Sequence, residues 1–385
     1  MFRYRITLFH LLGFAVRVDA SWLLLAAFIT WSLAHGFFPG VLPGQPAAVY
    51  WWMGAAGAMG LFVSIIVHEF SHALVARRFA LPIKGITLFI FGGVAEMEEE
   101  PASPKAEFLM AVAGPIASLA LGGACYLASL AAAPPEQASA AAGVLFYLGV
   151  INVVLAVFNL VPAFPLDGGR MLRAALWHWL GSLRRATRIA AEVGRWFGFW
   201  LVALGVFSAL TGNLLGGVWW FLIGLFVVQS ATASYQQLLL RQVLEGERVR
   251  RFMTERPMTV LASATLQQLV DQYVYRFYFK FYPVLEDGRP VGCIHTEQIK
   301  AVPQEEWARR TVREVMQPLS ADNTVRADED AVKALAVMNR SGNSRLLVLD
   351  DGRLAGLIAL KDLLKFFHLK VDLEEHGPGA RRPGA

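Results

Sequence analysis

The run HEFSH, residues 68–72, sets two imidazoles one helical turn apart, with the carboxylate of Glu69 beside the first. Positions i and i+4 share a helix face, so His68 and His72 can both reach one tetrahedral Zn2+ at about 2.0–2.1 Å, and Glu69 can address a water at the remaining position. The motif lies inside LFVSIIVHEFSHALVARRF, an otherwise apolar stretch. Ionisable groups at that depth in a bilayer are expensive without partners, which argues for a working site over incidental packing. A histidine pair needs a third protein ligand, and the second cluster is NLVPAFPLDGGR, residues 159–170. Pro162 and Pro165 break the helix there, while Gly168 and Gly169 permit an irregular backbone, tolerated at membrane depth only where it lines a cavity. Asp167 therefore comes to the depth and side of His68 and His72, or else caps the helix that follows it.

Those residues must be carried by membrane helices. The chain has 385 residues, 56% of them hydrophobic and 17% charged, with mean hydropathy +0.46, against roughly 25% charged in soluble domains. An ordinary soluble enzyme is excluded. Long gaps without Asp, Glu, Lys or Arg predict six spans, near 21–38, 50–76, 107–131, 142–164, 196–212 and 216–238. Arg3, Arg5, Arg17, Arg77, Arg78, Lys84, Arg170 and Arg173 flank one side of these spans, and the opposite loops carry only Glu136. Both termini are thus expected in the cytoplasm, in a multi-pass protein of the cell membrane. Tryptophans such as Trp51, Trp52, Trp219 and Trp220 read as interfacial anchors. The stretch Arg3–Ala20 is read as a lead-in on the cytoplasmic face and not as a cleaved signal, because Arg17 and Asp19 stand where a cleavage region is uncharged. Thirty-five basic against 30 acidic residues give a net charge of +5, too small a surplus to suggest nucleic-acid binding. Cys125 and Cys293 fall in different domains, so no disulfide framework follows.

Between the second and third spans, KGITLFIFGGVAEM alternates in the manner of a strand pair about Gly92 and Gly93, either a hairpin dipping into the membrane or a loop at its surface. The acidic run Glu96, Glu98, Glu99 and Glu100 is expected to be a solvated face, and GPIAS at 114–118 to allow close helix packing. After residue 240 the composition turns soluble, and FYPVLEDGRPVGCIHTEQI is echoed by RLLVLDDGRLAGLIALKDL at a spacing of about 63 residues. Each copy predicts a hairpin turning at Gly288 or Gly352, followed by a short helix.

The pairing of HExxH in one transmembrane helix with NxxPxxPLDGG at the end of a later one resembles the site-2 protease family, intramembrane zinc metalloproteases of the M50 type. GFAVRVDASWLL, ITLFIFGGVAEM and AVAGPIAS extend the likeness across residues 1–240. The soluble tandem resembles a pair of CBS domains, as in the bacterial and archaeal branch of that family. The resemblance implies a polytopic α-helical membrane protein with a carboxy-terminal α/β CBS module, one Zn2+ held by His68, His72 and Asp167, and Glu69 as general base. It also implies Asn159 as an oxyanion donor, for which an interhelical hydrogen bond is the competing use, and strand pairing of extended substrate beside Gly92 and Gly93. Expected limits are 1–240 for the protease domain, 241–252 for a linker, 253–310 and 311–368 for the CBS domains, and 369–385 for a disordered tail. CBS pairs often bind adenine nucleotides, but of the usual ribose-contacting run only Asp362 is kept; His295 and Gln298 depart from it in the first copy, and Ala359 in the second. Partners implied are a membrane-protein substrate with a transmembrane segment, the lipid bilayer and, through the CBS domains, a second copy of the chain. The rival reading is a CBS-regulated metal transporter or channel, for which Glu69 would be dispensable.

Overall fold

A computed structural model describes residues 5–81, 83–89, 92–97, 101–132 and 139–375. It divides into two compact units, Met1–Gln236 and Gln237–Ala385. The acidic positions Glu98, Glu99, Glu100 and Glu136 and residues 376–385 lie outside the described residues.

In the first unit, strands β1 (Arg5–Leu11) and β2 (Phe14–Asp19) precede the helices α1 (Ser21–Ser32), α2 (Phe38–Val41) and α3 (Ala47–Arg78). Strands β3 (Ile83–Phe89) and β4 (Gly92–Met97) follow, then α4 (Pro104–Ala132), α5 (Ala140–Asn159), α6 (Asp167–Leu180), α7 (Leu183–Leu210) and α8 (Leu214–Leu244), whose last residues, 237–244, belong to the second unit. Among the described residues, six helical stretches are long and apolar enough to cross a membrane: Ser21–Val41, Ala47–Arg78, Pro104–Ala132, Ala140–Asn159, Leu183–Leu210 and Gly216–Leu244. A helix of 32 residues such as α3 runs to about 48 Å, longer than the roughly 30 Å hydrocarbon core, so its ends stand clear of it. Lipid tails supply no hydrophobic drive between helices, so close approach must come from small residues. A Cβ on Gly122 of α4 would meet Asn152 and the Gly149 carbonyl of α5, and one on Gly149 would meet the Tyr126 backbone, so these two helices lie almost backbone to backbone.

The amino-terminal stretch is not a plain lead-in. Residues 5–19 form an antiparallel hairpin, Arg5 opposite Asp19 and Leu11 opposite Phe14. Its turn residues Leu12 and Gly13 both have positive φ, as the tight turns that match strand twist require. Apolar side chains on both faces of β1 hide the alternation that would have announced a strand. Strand β2 runs parallel to β3, and β3 antiparallel to β4, giving the order β1-β2-β3-β4. Val16, Ile86 and Leu88 from this sheet pack with Ile66, Phe62 and Trp22, seating the sheet on the α3 helix that carries HEFSH.

The second unit contains two hairpins, β7 (Phe281–Glu286) with β8 (Arg289–His295) and β11 (Arg345–Asp350) with β12 (Arg353–Ala359). Asp287-Gly288 and Asp351-Gly352 turn them, all four with positive φ. The short strands complete the sheets in crossed fashion. Thr254–Glu255 (β5), ahead of the first repeat, pairs with β12, whereas Gln317–Pro318 (β9), ahead of the second, pairs with β8. Val260–Leu261 (β6) and Thr324–Arg326 (β10) add to their own repeats in parallel. Val249 and Phe252 likewise pack in the core of the second repeat, with Leu335, Leu346 and Ile358. Helices α9 (Leu266–Leu269), α10 (Tyr275–Phe277), α11 (Thr296–Lys300), α12 (Val312–Val315), α13 (Ala331–Ser341) and α14 (Leu360–Glu375) cover the sheets. The last helix continues to Glu375, past the residue-368 limit expected for the second CBS domain and through the start of the expected tail.

His295 caps α11. Its ring accepts from the Gln298 backbone N–H while Gln298 Oε1 accepts from the His295 N–H at 2.7 Å. Burial holds the imidazole below the ordinary histidine range; Glu297 opposes the shift and Arg345 adds to it. A ring nitrogen can accept only while unprotonated. With the folded-state value depressed, this contribution is complete above the unfolded value of about 6.5 and is lost as pH falls through the folded-state value. Thermal unfolding of the full-length protein in detergent should therefore lose up to about 1 kcal/mol, the size of a helix cap, as pH drops from neutral into the acid range. H295S, which keeps a capping acceptor but does not titrate, should flatten that dependence.

Candidate metal centre

His68 and His72 project from one face of α3 and are buried at 3% and 5% exposure. Asp167, the first residue of α6, is 8% exposed and brings Oδ2 to 3.0 Å from His68 Nε2 and 3.1 Å from His72 Nε2. The three side chains offer ligand atoms that all lie within 4.8 Å of one another. Asp167 is not a helix cap: the N-cap position belongs to Leu166, and the carboxylate turns to the histidines.

The other ring nitrogens determine what this cluster can bind. His72 Nδ1 lies 2.7 Å from the Met110 carbonyl oxygen, which only accepts, so Nδ1 carries the proton and Nε2 of the neutral ring presents a lone pair. His68 Nδ1 is 2.8 Å from the Ser118 hydroxyl, which can accept in the same sense. When both rings are neutral, two nitrogen lone pairs and a carboxylate oxygen converge. Such a donor set calls for a cation, and nitrogen–nitrogen–oxygen donors suit Zn2+. Space for it is kept by Gly114, where a Cβ would meet Nε2 of both histidines.

The helix face of α4 is thus the wall of the site. Met110, Gly114 and Ser118 recur at intervals of four, and each touches a histidine. Asp167 is delivered by the turn between α5 and α6, where Cβ atoms on Gly168 and Gly169 would run into the backbone of residues 160–164. The Phe164–Pro165 peptide in this turn is cis.

Glu69 is half-buried on α3, within electrostatic reach of His68, His72 and Asp167. Asn159 ends α5, and its Nδ2 donates to the Leu155 carbonyl at 2.9 Å, so its amide stays on its own helix here. Gly93 and Gly92 pair with Leu88 and Phe89 across the β3–β4 ladder, and β4 is an edge strand among the described residues. Asp362 lies in the first turn of α14 in the second unit.

Four features around the centre carry no distinguishing mark in the sequence. Met110 contributes a backbone carbonyl, which no residue type signals, and Ser118 was visible only as a small residue in GPIAS. Buried Asn152 donates to the Leu148 carbonyl at 2.8 Å and to Oγ of Ser64 at 2.9 Å, one turn before His68 on α3. Glu107 of α4 and Arg173 of α6 form an ion pair at 0% and 4% exposure. In the sequence these two charges mark only a span limit and the orientation of the spans.

Residues 56–135 and 129–201 match Peptidase family M50, and residues 249–304 and 312–369 match the CBS domain. The putative zinc metalloprotease Rip3 of Mycobacterium tuberculosis is 35% identical over 365 residues, covering 94% of this chain and 93% of that protein. Zinc metalloprotease MJ0392 of Methanocaldococcus jannaschii is 29% identical over 97% of this chain and 99% of that one. A solved site-2 protease from Methanocaldococcus jannaschii superposes with a TM-score of 0.43 and 28% identity, over 60% of this chain and 94% of the other. The chain belongs to Peptidase family M50, the site-2 proteases. It is a multi-pass membrane zinc metalloprotease with a carboxy-terminal CBS pair.

The close approach at Gly114 yields a direct check. G114A places a methyl group against both Nε2 atoms, so purified protein should hold well under half of the wild-type zinc by elemental analysis while its helical circular dichroism is retained. Undiminished zinc in G114A would show that the two nitrogens do not share a bound ion at this point.

Proposed function

We propose that this metalloprotease hydrolyses a peptide bond within or near a transmembrane segment of another membrane protein, the chemistry of regulated intramembrane proteolysis. The observation that carries the proposal is the convergence of His68, His72 and Asp167 inside a helix bundle, with Glu69 on the same helix as the histidines. Ten residues, about 15 Å of helix, separate His68 from the basic end of α3 at Arg78. The scissile bond would then lie inside the bilayer near the face carrying Arg77 and Arg78, which the charge distribution makes cytoplasmic. Both termini would be on that side, in the cell membrane.

His68, His72 and Asp167 hold the zinc ion in this reading. When bound, it supplies a Lewis acid that polarises the scissile carbonyl and brings the pKa of a water near 7. Glu69 accepts the proton from the attacking water and returns it to the departing amine nitrogen. Asn159 Nδ2 turns from the Leu155 carbonyl to the developing oxyanion, a contribution of about 3 kcal/mol. The substrate helix must first unwind, because its carbonyls are hydrogen-bonded internally. Strand addition along the free edge of β4 holds the extended form through backbone contacts and demands no side-chain sequence, while Gly92 and Gly93 let it come close.

In domain terms, residues 1–240 form the catalytic unit, 241–252 a connection, and 253–310 and 311–368 the CBS pair. That pair binds an adenine nucleotide through Asp362 or joins a second copy of the chain, and so controls substrate access. Calorimetry on the full-length protein with ATP, ADP and AMP tests the nucleotide role, which an absence of heat with all three would remove.

The protease reading is tested by pairing E69Q with the wild type in detergent. Both should retain about one zinc per chain, and only the wild type should cleave a panel of single-span substrates. Cleavage by E69Q would overturn the assignment of Glu69. N159A should lower kcat by about 100-fold, the equivalent of nearly 3 kcal/mol, with KM little changed; an unaltered kcat would remove Asn159 from the transition state.

A further inference from the structure

We propose that the buried Glu107–Arg173 ion pair is a positioning device for the metal centre: it registers the Asp167 helix against α4 and thereby sets zinc affinity. The inference rests on the reading of Asp167 as a metal ligand.

Two of the three ligands are oriented by α4 directly, His72 through the Met110 carbonyl and His68 through the Ser118 hydroxyl. Asp167 sits on a different helix, reached through a turn of prolines and glycines. Glu107 begins the same α4 face one turn before Met110, and its Oε1 takes both Nε and Nη2 of Arg173. Arg173 lies six residues after Asp167, about 9 Å along α6, and its guanidinium stands 5.2 Å from the centre of the Phe164 ring in the turn that delivers Asp167. One side chain therefore ties together α6, the turn before it, and the helix that orients both histidines.

Physical chemistry favours a registering role over simple adhesion. A buried ion pair adds little stability compared with a well-packed apolar contact, because both charges are stripped of water, and its best-attested use is to fix register. Apolar helix surfaces slide past one another at small cost, whereas two N–H groups of Arg173 on the buried Glu107 carboxylate limit the offset between their helices. The cluster requires such accuracy, since Asp167 Oδ2 must stay near both histidine nitrogens at once. Groups hydrogen-bonded to a metal ligand commonly contribute about 10–100-fold to metal affinity, and that range bounds the effect of a pair that acts on Asp167 through its helix and turn.

The test measures Zn2+ affinity in folded, detergent-solubilised full-length protein, by competition with a chromophoric chelator, for wild type, E107D, E107Q, R173Q, the E107Q/R173Q double variant and D167A. E107D keeps the charge but shortens the reach by one methylene, and should weaken zinc about tenfold with its thermal midpoint near wild type. E107Q and R173Q, where they fold, should weaken zinc 10–100-fold. The double variant, in which two amides face each other without a stranded charge, should recover part of that loss, so the two single effects do not multiply. The visible spectrum of the Co2+-substituted protein should change in E107D, a signature that a purely structural pair would not move. Wild-type zinc affinity in both E107D and the double variant would overturn the proposal. Should D167A bind zinc as tightly as wild type, the ligand reading itself would fall, and this inference with it.

Discussion

Two imidazoles and one carboxylate face each other inside an apolar bundle, and the surrounding architecture can be understood as what this arrangement requires. His72 Nδ1 donates to the Met110 carbonyl at 2.7 Å, so in the neutral ring the nitrogen turned toward Asp167 carries a lone pair. In water such a mismatch would be solvated away. At membrane depth such a cluster needs compensating charge, from a proton or a cation, and the groups that aim the donors must themselves be hydrogen-bonded. That condition explains why α4 lies so close to α3: an orienting carbonyl and hydroxyl reach the histidines only if a glycine, Gly114, separates them.

The same constraint accounts for the irregular turn between α5 and α6. A carboxylate projecting from the middle of a third transmembrane helix would be fixed by that helix's own rise and rotation. Placed instead at the first residue of α6, Asp167 follows a turn whose position is set by Gly168 and Gly169 against the backbone of residues 160–164. In α7, a Cβ on Gly194 would meet the Phe164 carbonyl oxygen, so the turn is confined from that side as well. Freedom in the backbone is used to choose one placement and is then removed by packing.

Where the chemistry depends on residue type and periodicity, the sequence is readable. HEFSH puts its histidines on one helix face because 3.6 residues make a turn, the charge-free gaps correspond to helices because lipid excludes charge, and Asp-Gly in both repeats makes a hairpin turn because its residues tolerate positive φ. The contacts around His72 are invisible for an equally physical reason, since a main-chain carbonyl is common to every residue. Glu107 and Arg173 are separated by 66 positions, and nothing local distinguishes a charge that will be buried and paired from one that marks the edge of a span. Strand β1 escapes notice because apolar residues on both its faces erase the two-residue period.

The soluble unit shows the same limit at the level of topology. Its two copies are evident from their repeated hairpins, and a boundary between them near residue 310 follows naturally from the spacing. Yet β5 completes the sheet of the second copy and β9 that of the first, each through a two-residue strand too short to carry a pattern of its own. Phe281 and Cys293 from one copy pack with Leu347 from the other. Neither copy can close its four-stranded sheet from its own residues, so a cut at the apparent boundary would leave each with an unpaired edge. The repeats are two in sequence and one in folding, and a ligand or partner that shifts one copy must act on the other through strands they share.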